Sequence, residues 1–462
     1  MKKNNLLKVL GILCISMILL TWIIPASLYN GTVIKEGINP VGIFDIFKYP
    51  VYALATFIQY GILILAIGIF YGILSKTKSY SKLCDDIVKK VGNKKKLFLS
   101  IIIVLLSLLS SILGNNLFLF ILVPFIYTLV ILLGYNRKTG FAVSVGSLIV
   151  GNICSLYGSN IALISNNIFG LDINHDILIK IIFFLMVTAL FVNIVIIKSR
   201  ESIEEKIEIP FYKKEKSTKN IKSTLPIKVL FIFTIVISLI GIIDFSVFGF
   251  TLFKDVYNSF MNFELNGFYL FANIFKGFTQ FGIWDNYDLI IFIMIMSLVI
   301  SWVYSLKLEE IKDGIIEGVK NTYKVSLIAI FANIIFTVLL NTTSNILITI
   351  NNFILTNDFS IAKTSITTLI SSIFYNDFSW INSSGIFNMY LVYDKVNYPL
   401  ISLLINSIYG IMMMILPTSL LLTTGLIYTK LDYKEWLKYI WKYLLLILLA
   451  LLIIVIVLVK II

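Results

Sequence analysis

The stretch LFLSIIIVLLSLLSSILGNNLFLFILVPFIYTLVILL, residues 97–133, decides how the rest of the chain is interpreted. Two 17-residue apolar arms are joined by the tip Gly114-Asn115-Asn116, and Pro124 lies within the second arm. A helix of 17 residues rises about 25 Å, which is marginal for crossing a hydrocarbon core of about 30 Å. The arms therefore either just cross a membrane or turn back inside it. If they turn back, the tip lies at mid-depth, where irregular backbone must be buried in protein or line a cavity. The tip would then be a binding site.

The composition of the 462-residue chain excludes a soluble globule. Hydrophobic residues make up 58% of it and charged residues 14%, and the mean hydropathy is +0.94. A soluble domain of this length is far more polar, so the expected fold class is an all-α polytopic membrane protein. Cys14, Cys84 and Cys154 are too far apart for a metal site or a disulfide framework, and no metal is expected.

Nine apolar runs are long enough to cross a membrane, besides the opening hairpin. A second stretch, 361–393, also fails to fit a simple crossing, because Asn376, Asp377 and the sequence NSSG at 382–385 interrupt it. We interpret both stretches as re-entrant hairpins. The predicted crossings are 6–28, 50–75, 141–165, 178–197, 228–243, 286–305, 325–345, 400–428 and 443–459.

The basic residues set the orientation. With the N-terminus in the cytoplasm, 30 of the 38 lysines and arginines lie on or beside the cytoplasmic side, as the positive-inside rule requires. This distribution accounts for the formal net charge of +13 without a nucleic-acid partner. We therefore predict a multi-pass protein of the cell (cytoplasmic) membrane. Charge does not decide between a re-entrant hairpin and two full crossings, because both return the chain to the same side.

The two halves of the chain repeat one order of elements: helix, helix, hairpin, interrupted helix, helix. An odd number of crossings separates them, so the second half is inverted relative to the first. About nine crossings plus two re-entrant hairpins in two inverted repeats are typical of secondary transporters. The predicted domains are the first transmembrane repeat at 1–197, a cytoplasmic basic linker at 198–228, a linker helix with an outer aromatic loop at 229–285, and the second inverted repeat at 286–462.

Interruptions in two predicted helices add polar positions to the two hairpin tips. They fall within 141–165 and 400–428. Glycine and proline there free backbone groups, and Ser, Thr and Asn either satisfy these groups or offer themselves to a ligand. The predicted substrate-binding residues are Gly114, Asn115, Asn116, Gly158, Ser159, Asn160, Ser383, Ser384, Gly385, Pro417, Thr418 and Ser419.

The chemistry expected of these positions is that of a neutral site. No Asp, Glu, Lys or Arg falls in the middle of a predicted crossing, which argues against a carboxylate-centred proton pump. Helix N-termini suit a carboxylate, and exposed carbonyls and hydroxyls can hold Na⁺. We expect no cofactor other than Na⁺ as a coupling ion. His175, the single histidine, is interpreted as a surface residue, because alone it makes neither a catalytic triad nor a metal site.

The chain resembles a known group, the YfcC-like branch of the anaerobic C4-dicarboxylate carriers (DcuC type), within the ion transporter superfamily. The resemblance covers residues 60–165 and 305–445. It rests on LLGYN at 132–136, IEGVK at 316–320, and LPTS at 416–419 followed by YKEWL at 433–437. It implies two re-entrant hairpins, inverted repeats, and uptake or exchange of small carboxylates or amino acids. Asn115 and Asn116 stand where tips of this family often carry acidic residues.

The predicted function is secondary active transport of a small organic anion or amino acid, dicarboxylate-like, and not catalysis. A membrane-embedded polysaccharide polymerase or glycosyl-lipid transferase stays open as an alternative, although the two arginines, Arg137 and Arg200, fall on the cytoplasmic side, away from where such chemistry occurs. A channel and a family member that has lost transport also stay open. The expected partners are a small carboxylate or amino-acid substrate and the lipid bilayer. No nucleic acid is expected, and the sequence allows a homodimer.

Overall fold

Helices make up most of the fold. The computed structural model describes residues 5–30, 32–114, 117–158, 160–199, 207–214, 223–332, 334–340, 346–355, 358–374 and 379–461. The helices are α1 (Asn5–Ile23), α2 (Ile43–Lys76), α3 (Ser79–Val91), α4 (Lys95–Leu113), α5 (Val123–Leu132), α6 (Arg137–Phe141), α7 (Ser147–Ile153), α8 (Asn160–Phe169), α9 (Ile177–Lys198), α10 (Leu225–Ile242), α11 (Leu252–Met261), α12 (Leu270–Ile274), α13 (Asn286–Val303), α14 (Leu308–Phe331), α15 (Ile334–Leu340), α16 (Ile346–Ile354), α17 (Ile361–Phe374), α18 (Ser379–Val392), α19 (Tyr398–Met413), α20 (Leu420–Thr429) and α21 (Tyr433–Ile461).

Shorter elements join the helices, among them 3₁₀ turns at Phe245–Phe248 and Lys395–Asn397. A 3₁₀ turn at Leu117–Leu122 leads into α5, and a π turn at Ala142–Gly146 joins α6 to α7. Two small antiparallel hairpins are formed by β1 (Ala26–Asn30) with β2 (Thr32–Gly37) and by β3 (Glu264–Leu265) with β4 (Phe268–Tyr269).

Nine helices in the described ranges are long and apolar enough to cross a membrane. The all-α polytopic class is therefore confirmed. The arms of the second hairpin, α17 and α18, have only 14 residues each. A 14-residue helix rises about 21 Å, less than the hydrocarbon thickness, so these two helices suit the re-entrant hairpin that the sequence predicts at 361–393.

One predicted crossing is shorter in the structure, and two others are divided within the runs where the sequence predicts interruptions. The run 6–28 is helical only to Ile23, because Pro25 disfavours helical backbone in the residue before it, and the chain continues into the β1–β2 hairpin. The runs 141–165 and 400–428 are each divided into two helices, with non-helical backbone at 154–158 and 414–419. Hydropathy does not reveal these divisions, because apolar residues lie on both sides of each break.

The chain folds into two compact units. Unit 1 comprises residues 1–61, 87–210 and 324–462, and unit 2 comprises residues 62–86 and 211–323. Unit 1 contains both hairpins and both divided helices, and it therefore contains all the predicted site positions. The domain boundaries predicted from the sequence stay a prediction.

The two halves of unit 1 pack in a reciprocal way. In each half the first hairpin arm packs on a divided helix: α4 on α7, and α17 on α19. Across the halves, α8 packs on α18, and α20 packs on the 3₁₀ turn that begins the second arm of the first hairpin. The helices α7 and α19 also pack on each other. This exchange of contacts is what a pseudo-two-fold relation between two repeats produces.

Unit 2 contains a close helix crossing. Gly68 and Gly72 of α2 face Gly314 and Gly318 of α14, and a Cβ added to Gly68, Gly72 or Gly318 would overlap atoms of the opposite helix. Small residues four positions apart let two helix backbones approach this closely. The crossing therefore depends on glycine in both helices.

Candidate functional site

The first hairpin is joined to the first divided helix at one carbonyl group. Ser111 lies in the last turn of α4, where carbonyl oxygens have no partner within the helix. Its oxygen accepts the backbone N–H groups of Leu156, Tyr157 and Gly158 at 3.0, 3.2 and 3.4 Å. The hydroxyl of Ser155 also donates to it, at 3.3 Å. The break between α7 and α8 thus caps α4 and holds the start of the hairpin tip.

The contact at this break requires glycine. A Cβ added to Gly158 would overlap the carbonyl of Ile112 and the amide nitrogen of Gly114. Gly114 has a φ of 70° and donates its N–H to the carbonyl of Ser110 at 2.8 Å. Residues with a Cβ avoid that backbone conformation. The predicted site residues Gly114 and Gly158 are therefore in direct backbone contact.

Buried polar groups also form hydrogen bonds between α4 and α7, the helix that precedes the break. The Ser107 hydroxyl donates to the carbonyl of Ser147 at 2.9 Å, and the Asn152 amide donates to the Ser110 hydroxyl at 2.8 Å. Gly151 packs directly on the backbone of Ser107. Hydrogen bonds in a dry interface favour one arrangement, because breaking them leaves unpaired polar atoms. The depth of the break relative to α4 is thereby fixed.

The two divided helices meet at a third glycine. Gly410 of α19 lies against Asn152 and Ile153 of α7, and a Cβ added to it would stand 2.5 Å from the carbonyl oxygen of Asn152. Elsewhere on α19, the Ser402 hydroxyl donates to Asn166 Oδ1 of α8 at 2.9 Å. The helix α19 therefore contacts both parts of the first divided helix.

The second break carries two buried hydroxyl groups. Pro417 precedes Thr418 and Ser419, and Ser419 occupies the N-cap position of α20 without a side-chain capping bond. Both side chains are 0% exposed, and neither hydroxyl has a hydrogen-bond partner among the described residues. A buried polar group left unpaired costs about 1–3 kcal/mol. Beside the partial positive charge of a helix N-terminus, these hydroxyls are suited to an anionic or water ligand.

Three polar side chains, one from α16 and two from the second hairpin, surround Gly385 of α18. The position that a Cβ would occupy there is 2.9 Å from Asn351 Nδ2 of α16, 3.5 Å from Ser371 Oγ and 3.6 Å from Thr367 Cγ2 of α17. Asn351 is 0% exposed. Neither of its amide atoms, nor the Thr367 hydroxyl, has a partner among the described residues. The missing side chain of Gly385 thus leaves room beside unpaired polar groups.

A small cavity adjoins this cluster. The space that the centre of a water molecule can occupy is about 10 Å³, enough for about one water. The hydroxyl of Thr368, in its wall, donates to the carbonyl of Thr364 at 2.9 Å, so it offers the cavity only lone pairs. The cavity is lined by Ile161, Thr367, Thr368, Ser371, Gly385, Ile386, Met389, Ile405 and Tyr409.

The structure adds three candidate residues that the sequence did not single out. Asn351 and Asn388 are buried, and no partner for either side-chain amide lies in the described ranges. Lys180 is only 3% exposed although it lies in a helix long enough to cross a membrane. The available signal was an isolated Asn or Lys inside an apolar run, because each is costly to bury and marks a polar interior.

The predicted site residues fall in three places. Gly114 and Gly158 meet at the first break, Gly385 lies at the second hairpin, and residues 417–419 form the second break. No hydrogen bond between described residues joins Gly114 or Gly158 to 417–419. Asn115, Asn116 and Ser159 lie outside the described residues. The backbones of Asn160, Ser383 and Ser384 lie in α8 and α18, but their side chains are outside the description. A single shared site stays a prediction.

The nine candidate spans in the described ranges include the first arm of one hairpin, α4, and one part of a divided helix, α19. Paired hairpins and divided helices that pack reciprocally are the architecture of a membrane transporter. The chain belongs to the C4-dicarboxylate anaerobic carrier (DcuC) family, whose sequence model matches residues 4–460. The resemblance read from the sequence motifs is thereby confirmed, and the family is one of transporters.

Two solved structures are similar to this chain, both at low identity. The YdaH transporter of Alcanivorax borkumensis is 13% identical, with 96% of each chain covered and a TM-score of 0.41. MtrF of Neisseria gonorrhoeae is also 13% identical, with 97% of this chain and 94% of that chain covered and a TM-score of 0.39. No curated protein sequence matches the chain.

Proposed function

We propose that this protein is a secondary active transporter that carries a small organic anion of the C4-dicarboxylate class, or an amino acid, across the cytoplasmic membrane. The observation that carries the proposal is the second break, where the buried hydroxyls of Thr418 and Ser419 have no partner among the described residues. The family description, a carrier of C4-dicarboxylates, agrees with an anionic substrate.

The chemistry at the break suits a carboxylate. Its oxygens accept hydrogen bonds, which the hydroxyls of Thr418 and Ser419 are free to donate. The N-terminus of α20 adds partial positive charge at the same place. When the hydroxyl groups donate their hydrogens to the carboxylate, the hydroxyl oxygens and the backbone carbonyl oxygens still have lone pairs that can coordinate Na⁺. We propose Na⁺ as the coupling ion.

The divided helices suit alternating access. A ligand held at a mid-membrane break is reached from one side or the other when one repeat moves against its counterpart. Because each hairpin packs on the divided helices of both halves, a change at one break is communicated to both hairpins. We further propose a cytoplasmic N-terminus, which protease removal of an N-terminal tag in right-side-out and inverted vesicles tests.

Uptake by the purified protein in proteoliposomes tests the proposed function. Labelled succinate, fumarate, malate, aspartate and other amino acids are offered under a Na⁺ gradient, a proton gradient or counter-substrate loading. We expect saturable uptake of at least one C4-dicarboxylate. Absence of uptake for every substrate under every gradient contradicts the proposal, and flux that does not saturate indicates a channel instead.

Substitutions at the second break test whether the substrate binds there. Thr418→Val and Ser419→Ala remove the unpaired hydroxyls and are expected to raise KM at least about tenfold, the equivalent of one lost hydrogen bond to a charged group. Thr429→Val is the matched control, because Thr429 is buried in α20, the helix that follows the break, but its hydroxyl donates to the carbonyl of Gly425 at 2.8 Å. An unchanged KM in both test variants would place the substrate elsewhere.

A further inference from the structure

We propose that Lys180 supplies the fixed positive charge to which a carboxylate group of the substrate binds. The inference rests on the proposed function and adds a binding position near the first break to the one proposed at the second break. It stands on three observations: the burial of Lys180, its position at a helix N-terminus, and its depth in the fold.

Lys180 points into the protein. It is the fourth residue of α9 (Ile177–Lys198) and is 3% exposed. Leu178 and Ile182, on other faces of the same helix, are exposed and are the positions that would meet lipid. On its buried side α9 packs on α4, α7 and α21. Protein therefore covers most of the Lys180 side chain, whereas lysines near helix ends usually extend to the membrane surface.

No ion pair among the described residues explains why this position is charged. In the described part of the chain no carboxylate forms an ion pair with Lys180, and the acidic group whose charge acts on it is Asp176, four residues earlier. A cation in the first turn of a helix is also opposed by the helix dipole. Burial and position both disfavour a lysine, so we infer that it is kept for an anion that arrives from outside the chain.

The depth of Lys180 is close to that of the first break. Gly146, at the end of the π turn before α7, contacts Phe191 of α9: a Cβ added to Gly146 would lie 2.9 Å from Phe191 Cζ. From this contact, the helix α9 leads back to Lys180 over a rise of about 16 Å. From Gly146, the 7 residues of α7 rise about 10 Å to Ile153, where the break begins. Since α7 and α9 pack together, Lys180 lies within about one helical turn of the start of the break.

The neighbouring histidine does not supply a competing charge. His175 Nδ1 lies 2.7 Å from the carbonyl oxygen of Asp172, so Nδ1 carries the proton and donates it. Burial, followed by the charge of Lys180, lowers the pKa of His175 from its ordinary value. The imidazole therefore adds no second positive charge beside Lys180, and the other charges that act on these two side chains are the carboxylates of Asp172 and Asp176.

Transport of a matched substrate pair tests the inference in proteoliposomes. Succinate carries two carboxylates, whereas succinamate has one of them replaced by a neutral amide. We expect Lys180→Gln to raise KM for succinate at least about tenfold and to reduce the preference for succinate over succinamate, and Lys180→Arg to retain part of both. Lys198→Gln is the control, because it removes one positive charge from the opposite end of the same helix and should keep the wild-type preference.

The outcomes separate the two proposals. Wild-type protein that transports no substrate contradicts the proposed function. Wild-type transport together with an unchanged KM and an unchanged preference in Lys180→Gln overturns only the role of Lys180. If Lys180→Gln does not fold, Lys180→Met, which keeps an unbranched apolar side chain without the charge, replaces it in the same transport assay: a higher KM for succinate and a reduced preference over succinamate support the inference, and unchanged values of both overturn it.

Discussion

Gly158 lies so close to the carbonyl of Ile112 that the two backbones leave no room for a Cβ between them. One of these residues belongs to the break of a divided helix and the other to the last turn of a hairpin arm. The neighbouring carbonyl of Ser111 accepts three backbone N–H groups from the same break. The first hairpin and the first divided helix are therefore one backbone-to-backbone assembly, in which neither can move without the other.

Gly158→Ala tests this assembly. The added methyl group meets backbone atoms that cannot rotate away, so either the break or the hairpin must shift, at a cost of about 1–3 kcal/mol or more. We expect a melting temperature several degrees below that of the wild type, measured by fluorescence-detected size-exclusion chromatography after heating. Gly11→Ala is the control, because no atom lies within 4 Å of its Cβ position. Equal melting temperatures for both variants would contradict the close contact.

The membrane class, the hairpins and the repeated order of elements could be predicted because each depends on the composition of a short stretch of sequence. Apolar runs, the lysines between them and the turn residues at 114–116 each report on their own neighbourhood. The glycines Gly114 and Gly158 could also be selected from their breaks. That these two touch each other could not, since the contact joins residues 44 positions apart.

Other features were missed because they depend on which face of a helix is covered. Asn351 and Lys180 look like ordinary polar interruptions in apolar runs. Their burial follows from the packing of α16 on α18 and of α9 on α4, α7 and α21. Helical periodicity gives the faces of a segment but not the neighbour that each face receives. Long-range packing therefore decides which polar residue is a surface residue and which is part of the interior.

Gly385→Ala is expected to be much milder than Gly158→Ala. Its Cβ position is closest to the end of the Asn351 side chain, at 2.9 Å, and a side-chain amide can rotate where a backbone cannot. We expect a small loss of melting temperature that Asn351→Ala relieves in the double variant, giving a favourable coupling in a double-mutant cycle. Additive effects of the two substitutions would show that the residues do not meet.

Asn351→Leu should stabilise the protein in the absence of substrate. The substitution replaces a fully buried amide that has no partner among the described residues with an apolar side chain of similar size. Removing an unsatisfied polar group is neutral or stabilising, whereas most core substitutions destabilise. We expect an equal or higher melting temperature together with weaker substrate-dependent stabilisation if the amide contacts the substrate. A clear fall in melting temperature would show that the amide is hydrogen-bonded in the folded protein.

His175 should make the stability of the protein depend on pH. Burial and the nearby Lys180 lower the pKa of its imidazole in the folded state, whereas the unfolded chain takes up the proton at the ordinary value of about 6.5. The unfolded state therefore binds more protons below that pH. The resulting loss of folding stability is absent above about pH 7. It grows as the pH falls through about 6.5 toward the lowered pKa of the folded state.

We expect the melting temperature of the wild type to fall more than that of His175→Gln between about pH 7.5 and about pH 5.5, a range above the ordinary pKa of most carboxyl groups. Parallel curves for the two proteins would contradict the burial of the ring, and a steeper curve for His175→Gln would reverse the sign of the shift.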